Sequence, residues 1–336
     1  FVRGEGSGGL SDYSDWMAAW RYEQNPGRAG DFNGDGIADL LWWEPDTNEI
    51  KIWLMDGGAV QSVVSPGAGQ DISQWLLINT GDFNSDGVCD IMWWNPGAGA
   101  VEVWYMSPAS AVSNSGDGAF HTASSPGSVL GNSTLSYTGD VNGDGREDIL
   151  WRNYETGEVT LWIMGADGQP ELNGPPSLAA GIADNGRPGV TGSLEWGVRG
   201  LHDMDGDGKA DVIWQHAEDG RVVVWRMDGS QVLGFVVFQH DAAWRIAGTG
   251  DMDGDCKADF VWSNQTNGAI QTWLMRGFFT DEMIIVQGSA EAAKWQVKAV
   301  GDFCSPGCDD VYCKQSETGA VRIIKLDGQS FAPSVE

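Results

Sequence analysis

Residues 31–43 read DFNGDGIADLLWW, three carboxylates and an amide at alternate positions of nine residues, then an abrupt apolar run. Carboxylates this close repel one another unless water or a cation stands between them. The stretch is therefore either a solvated acidic turn or a loop built to hold an ion. It is not unique in the chain. The motif returns as DFNSDGVCD from Asp82, DVNGDGRED from Asp140, DMDGDGKAD from Asp203 and DMDGDCKAD from Asp251, and in worn form as DFCSPGCDD from Asp302.

A register of tryptophans accompanies every copy. Eleven residues beyond the leading Asp stand Trp42, Trp93, Trp151, Trp214 and Trp262, with Cys313 in the sixth copy. Twenty-two beyond it come Trp53, Trp104, Trp162, Trp225 and Trp273, then Ile324, and seven before it come Trp75, Trp196, Trp244 and Trp295. Fourteen of the 18 Trp thus belong to the repeat, which makes interior packing of repeated units their common task. Seventeen residues beyond the Asp is always a turn former: Asn48, Gly99, Gly157, Gly220, Gly268 or Gly319.

Each repeat reads as four strands. One leads into the acidic loop (75–83), a second follows it (38–43), a third alternates after the turn (49–55, 221–227), and a fourth is looser (231–238). Helical periodicity is absent. Four antiparallel strands recurring at intervals of 51, 58, 63, 48 and 51 residues predict an all-β fold, a β-propeller whose sheets bury both faces against their neighbours. The blades fall at about 20–66, 67–125, 126–185, 186–240, 241–288 and 289–336 of a single domain 20–336. Extra loop lies at 108–134 and 166–195, and a closing strand at 330–336. Residues 1–19 are expected to cap the ring or supply a closing strand; a seventh blade there is the alternative.

The 336 residues carry a formal charge of −29, which argues against nucleic acid and anionic membrane surfaces as partners. No apolar run approaches the roughly 18 residues of a membrane span. The chain opens at Phe1 rather than Met, and three of its five Cys crowd into ten residues, so an oxidising, extracellular setting is expected.

The loop spacing suits calcium, a hard cation that takes six to eight oxygens at about 2.3–2.6 Å. Side chains at positions 1, 3, 5 and 9 and a backbone carbonyl at 7 would ligate, with Gly at 6 for the bend. The first set is Asp31, Asn33, Asp35, the Ile37 carbonyl and Asp39; the second is Asp82, Asn84, Asp86, Val88 and Asp90. The third is Asp140, Asn142, Asp144, Arg146 and Asp148. The fourth is Asp203, Asp205, Asp207, Lys209 and Asp211, and the fifth Asp251, Asp253, Asp255, Lys257 and Asp259. Five structural Ca²⁺ are expected, offsetting ten of the 29 negative charges; plain acidic turns are the other reading. In the fifth copy Cys256 replaces the bend glycine. The sixth has Cys304, Pro306 and Cys308 at positions 3, 5 and 7, so no calcium is expected there. A disulfide among Cys304, Cys308 and Cys313 would staple that loop instead; three reduced thiols are the alternative, and Cys89 is expected singly in the packing.

These repeats resemble the FG-GAP/VCBS type, found in integrin α-subunit propellers, in fungal and bacterial propeller lectins and in many secreted bacterial proteins. The phrase GDFNGDGIADLLWW…EIKIWLMDGG carries the likeness, which extends over nearly the whole chain from about residue 20. It implies the propeller and the calcium. For activity it implies little, since such scaffolds serve adhesion, sugar binding and the support of attached enzymes.

No catalytic constellation stands out. The four His have no metal spacing, no nucleophile elbow appears, and most Asp are committed to the loops. The expected role is a non-catalytic, secreted or cell-surface module that binds a glycan or an extracellular protein. A structural subunit that self-associates is the alternative, and a polysaccharide-active enzyme a third. The position twelve beyond each Asp varies, and Trp43 and Trp94, each two residues before a Pro, could stack on a sugar ring or else extend the packing. Asn132 and Asn264 begin N-glycosylation sequons.

Overall fold

The computed structural model describes residues 28–334 apart from 45–48, 57–58, 67–73, 96, 99, 107–120, 123–132, 154, 167–180, 183–187, 190–192, 288–294, 305–306, 316–319 and 327–330. The expected segment 1–19 and much of both insertions lie outside the described residues. What is described is all strand and loop. Among the described residues no helix is long and apolar enough to cross a membrane.

Five sheets have four antiparallel strands in simple up-and-down order, and the third has three. In the first, Arg28–Gly30, Asp39–Glu44, Glu49–Asp56 and Ala59–Val64 pair in sequence. The last consists of Trp295–Gly301, Asp310–Gln315, Val321–Leu326 and Phe331–Ser334, so the closing strand forms as expected. Part of the second insertion contributes a small ladder of Gly181–Ile182 with Pro188–Gly189. The tight turns between second and third strands need the left-handed backbone that Gly157, Gly220 and Gly268 adopt, at φ of 72°, 76° and 70°.

The core lies between sheets, not within one. One apolar cluster joins Val141, Leu150 and Leu161 of the third sheet to Trp196, Trp214 and Trp225 of the fourth. Another joins Phe303, Tyr312 and Ile323 of the sixth to Leu40 and Met55 of the first, so the last sheet packs against the first. The two register tryptophans of each sheet sit diagonally across adjacent strands and tilt together, with centroids 4.8–5.1 Å apart in all five pairs.

A second tie runs around the ring. The N–H at loop position 8 donates to the carbonyl of the leading Asp in the preceding copy. The bonds are Cys89 to Asp31, Glu147 to Asp82, Ala210 to Asp140, Ala258 to Asp203 and Asp309 to Asp251, and Ala38 to Asp302 closes the cycle. All lie between 2.6 and 2.8 Å. Every acidic loop therefore stands on the same side of the molecule, tethered to both its neighbours.

Candidate metal centre

Each acidic loop is a tight coil wound on its first carboxylate. Asp31 Oδ1 accepts the N–H groups of Asn33, Gly34 and Asp35, and Oδ2 accepts that of Gly36. The position-6 N–H repeats this bond to Asp82, Asp140, Asp203 and Asp251 at 2.7–2.8 Å. The position-5 carboxylate in turn accepts the N–H at position 7, as in Ile37 to Asp35 at 2.8 Å. Such a coil needs positive φ twice, at positions 4 and 6, where Gly34 and Gly36 have 75° and 84°. The sequence pattern shows the second bend; the first is hidden because Ser85 occupies it in the second copy, at φ 61°.

The position-9 carboxylates do more than the spacing indicates. Asp39, Asp90, Asp148, Asp211 and Asp259 are almost wholly buried. One oxygen of each accepts the N–H at position 2, and the other accepts the N–H of the Met sixteen residues after the Asp itself, on or just beyond the third strand. Asp259, for example, takes Met252 N–H at 2.8 Å and Met275 N–H at 2.6 Å. Burial pushes Asp39, Asp148, Asp211 and Asp259 up to about 7 and Asp90 to about 8; the backbone bonds pull the other way, and neighbouring loop carboxylates add to the rise. A nearby divalent cation would favour the ionised form.

In the fourth and fifth copies the donor set fits such a cation. Carboxylate oxygens of Asp203, Asp205 and Asp211 lie within 4.8 Å of one another, as do those of Asp251, Asp253 and Asp255. Oxygens on a sphere of about 2.4 Å radius can be no farther apart than about 4.8 Å. Copies one and two are free of basic side chains at position 7, and Asn33 and Asn84 donate to Asp35 and Asp86. In later copies a basic group leans on the ligands: Arg146 on Asp144, Lys257 on Asp255 at 2.9 Å, and Arg226 on Asp205 at 2.6 Å and Asp207 at 3.4 Å. Those side chains would have to yield to a bound ion.

The sixth loop keeps the position-6 bond of the coil but not the ligands: Gly307 N–H still donates to Asp302. The expected staple is absent, and all five cysteines are free. The three thiols face three ways. Cys313 is buried against the fifth sheet, Cys304 in the cluster shared with the first, and Cys308 lies over Gly254 of the neighbouring loop. Asp310 interacts with Cys304 and Lys325; burial pushes it up to about 6, and the Lys325 charge holds it down.

Two other expectations also change. Trp94 is 7% exposed and packs into the core, so it offers no face to a sugar; the side chain of Trp43 lies outside the described residues. Asn264 is buried, with Oδ1 accepting Thr266 and Asn267 N–H to cap its turn, which leaves it badly placed for a glycan. Asn132 lies outside the described residues.

The FG-GAP-like repeat description matches residues 31–93, 82–151 and 203–262, more than half of the chain. No curated protein matches. Among solved structures, Raptor from Chaetomium thermophilum aligns with 91% of this chain and 24% of its own at 14% identity and a TM-score of 0.50. A calcium-binding protein, regucalcin, from Agrobacterium tumefaciens covers 87% of this chain and 83% of its own at 9% identity and 0.49. The β-propeller domain of Cps50 (Swd1) from Myceliophteria thermophila covers 89% and 96% at 8% identity and 0.44. At these identities the likenesses concern the fold alone. With its recurring acidic coils, its tryptophan pairs and its ring of antiparallel sheets, the chain belongs to the family of FG-GAP-like repeat β-propellers.

Proposed function

We propose that this chain is a calcium-stiffened, non-catalytic binding module that works outside the cell and recognises a carbohydrate or another protein. The observation that carries the reading is the five acidic coils. Each winds on its leading Asp on the same side of the ring and is tied to its neighbours through the carbonyl of that Asp, and in the fourth and fifth copies three carboxylates converge. Ions bound there would fix the relative positions of successive sheets and hold the opposite surface rigid. Burial also pushes Glu147 and Asp309, at position 8 of their loops, up to about 7, but the raised position-9 carboxylates recur in five loops, each held by two backbone N–H groups. That is how a structural carboxylate is held, whereas a catalytic one is singular.

Calorimetric titration of chelator-stripped protein should register about five calcium ions. Glycan and extracellular-protein arrays should then give binding that EDTA abolishes. Failure to take up calcium would overturn the first half of the reading; no partner on either array would overturn the second. One observation favours assembly as a second reading. The outermost strands of the fourth and fifth sheets expose Leu233, Phe235, Val237, Met283 and Ile285. Such edges pair readily with another strand. Light scattering over a concentration series would reveal that self-association, and a constant monomer mass would exclude it.

A further inference from the structure

The innermost strand of each of sheets two to six carries one residue that the antiparallel register skips. The pairing jumps from Leu77 to Asn79, Leu135 to Tyr137, Val198 to Gly200, Ile246 to Gly248 and Val297 to Ala299. A bulge re-aims the extra side chain, here at the same position four residues before the acidic loop in each of these five sheets. The skipped residues are Ile78, Ser136, Arg199, Ala247 and Lys298. Arg199, Ala247 and Lys298 line a cavity of about 500 Å³ bounded by innermost strands of five sheets. Two cations from the fourth and sixth sheets thus face the axis, with only a methyl group from the sheet between them.

Neither cation has an acidic partner among the described residues. The Arg199 Nε is buried without a hydrogen bond, and its guanidinium lies over Gly197, towards the start of its strand and away from the calcium loops. The carboxylates that touch the cavity, Asp140, Glu147 and Asp203, belong to the loops at its other end. More positive charge stands behind: burial and then the Arg199 charge lower the pKa of both Arg152 and Arg245, and burial and then Lys314 lower that of Lys298. Five of the 19 basic residues therefore gather here in a chain of net charge −29. Like charges drawn together in partial burial call for a counter-anion.

We infer that the axial cavity is an anion site in which Arg199 and Lys298 hold the carboxylate of an acidic sugar. The identification as a sugar rests on the carbohydrate half of the proposed function. It also draws on the cavity size, which suits a mono- or disaccharide, and on Tyr137, Thr249 and the hydrogen-bonded pair Asn79 and Thr138, which line the same cavity. The guanidinium supplies a planar pair of donors to the carboxylate, and the ammonium a second charge.

The test is calorimetry of the calcium-loaded protein with digalacturonate, with neutral galactobiose and with succinate, at two salt concentrations. Digalacturonate should bind at least tenfold more tightly than the neutral sugar and more weakly as salt rises. Arg199→Gln and Lys298→Met should each lose tenfold or more with no fall in melting temperature, while exposed Arg276→Gln should change nothing. Equal affinity for acidic and neutral sugars, indifferent to both substitutions, would overturn the inference and leave the carbohydrate reading standing. Succinate binding that depends on Arg199, with no sugar bound, would uphold the anion site and overturn the sugar. Binding of neither anion would overturn the site itself.

Discussion

Cys256 holds a φ of +64° where the other intact coils place glycine at +82° to +84°. A Cβ in the left-handed region costs roughly 1–2 kcal/mol, and nothing in the fifth loop relieves it. Cys256→Gly should therefore raise the unfolding free energy by about 1 kcal/mol in urea denaturation, and it should tighten calcium binding to that loop; an unchanged midpoint would show that the strain is dissipated elsewhere. The sixth loop makes the complementary case. It keeps the position-6 bond to its leading Asp without position-3 and position-5 carboxylates, and the Lys325 charge, which also acts on Cys304, lowers the pKa of the buried Asp310 against the Asp302 charge that raises it. An internal lysine here does what a metal ion is proposed to do in the other five. Lys325→Met should cost on the order of 1–3 kcal/mol through the unpaired buried carboxylate, equally in calcium and in EDTA. A cost that appears only in calcium would mean that the sixth loop binds an ion after all.

At the scale of elements, the glycine just before five of the six leading Asp, with His202 standing there in the fourth copy, explains how adjacent sheets approach. A Cβ on Gly139 would stand 2.7 Å from Leu201 Cβ, 2.9 Å from the Leu201 carbonyl oxygen and 3.0 Å from Ala210 Cβ. Backbone and short side chains cannot step aside, so Gly139→Ala should destabilise by about 1–3 kcal/mol. Gly81→Ala should cost less, because the atoms nearest its Cβ, at 2.8–3.2 Å, are all side-chain atoms of Glu147 and none is backbone. Equal losses in the two variants would refute this steric account. The same elements show which parts of the fold were legible in the sequence. Trp at fixed offsets and alternating apolar residues marked the strands, because packing of repeated sheets demands particular side chains. The circumferential bonds were not legible, since a backbone N–H has no residue signature and a strand glycine reads only as a weak position. The double duty of the position-9 Asp was half visible: spacing showed a ligand, while its two backbone partners depend on strands brought together by folding. The bulge that aims Arg199 and Lys298 inward was invisible for the opposite reason, its residue type changing from sheet to sheet. Trp94 takes the packing alternative because a position can vary along the repeat and still be buried, and the sulfurs stay unpaired because three nearby cysteines on one loop point to three different neighbours.

Over the whole molecule, the five buried position-9 carboxylates couple stability to pH, and a bound cation reverses the sign of the coupling. In the cation-free protein their folded pKa lies at about 7, or about 8 for Asp90, above the unfolded value of roughly 3.9. A raised carboxylate pKa means that the folded state holds its proton more tightly than the unfolded chain does. The contribution is therefore fully present below about pH 4 and is lost as pH climbs through 7 to 8. In EDTA the melting temperature should accordingly fall between pH 5 and pH 8, the ring becoming looser as five buried charges develop close to other carboxylates. Calcium favours the ionised form and competes with protons for the same oxygens, so its stabilisation should be small at pH 5 and large at pH 8. Each site filled at a hundred times its dissociation constant adds about 2.7 kcal/mol, which summed over several loops would outweigh the proton-linked loss. Calorimetric melting at the two pH values, with EDTA and with millimolar calcium, separates the contributions. A calcium shift of the same size at both pH values would show that the buried carboxylates do not face the ions, and that they serve the backbone alone.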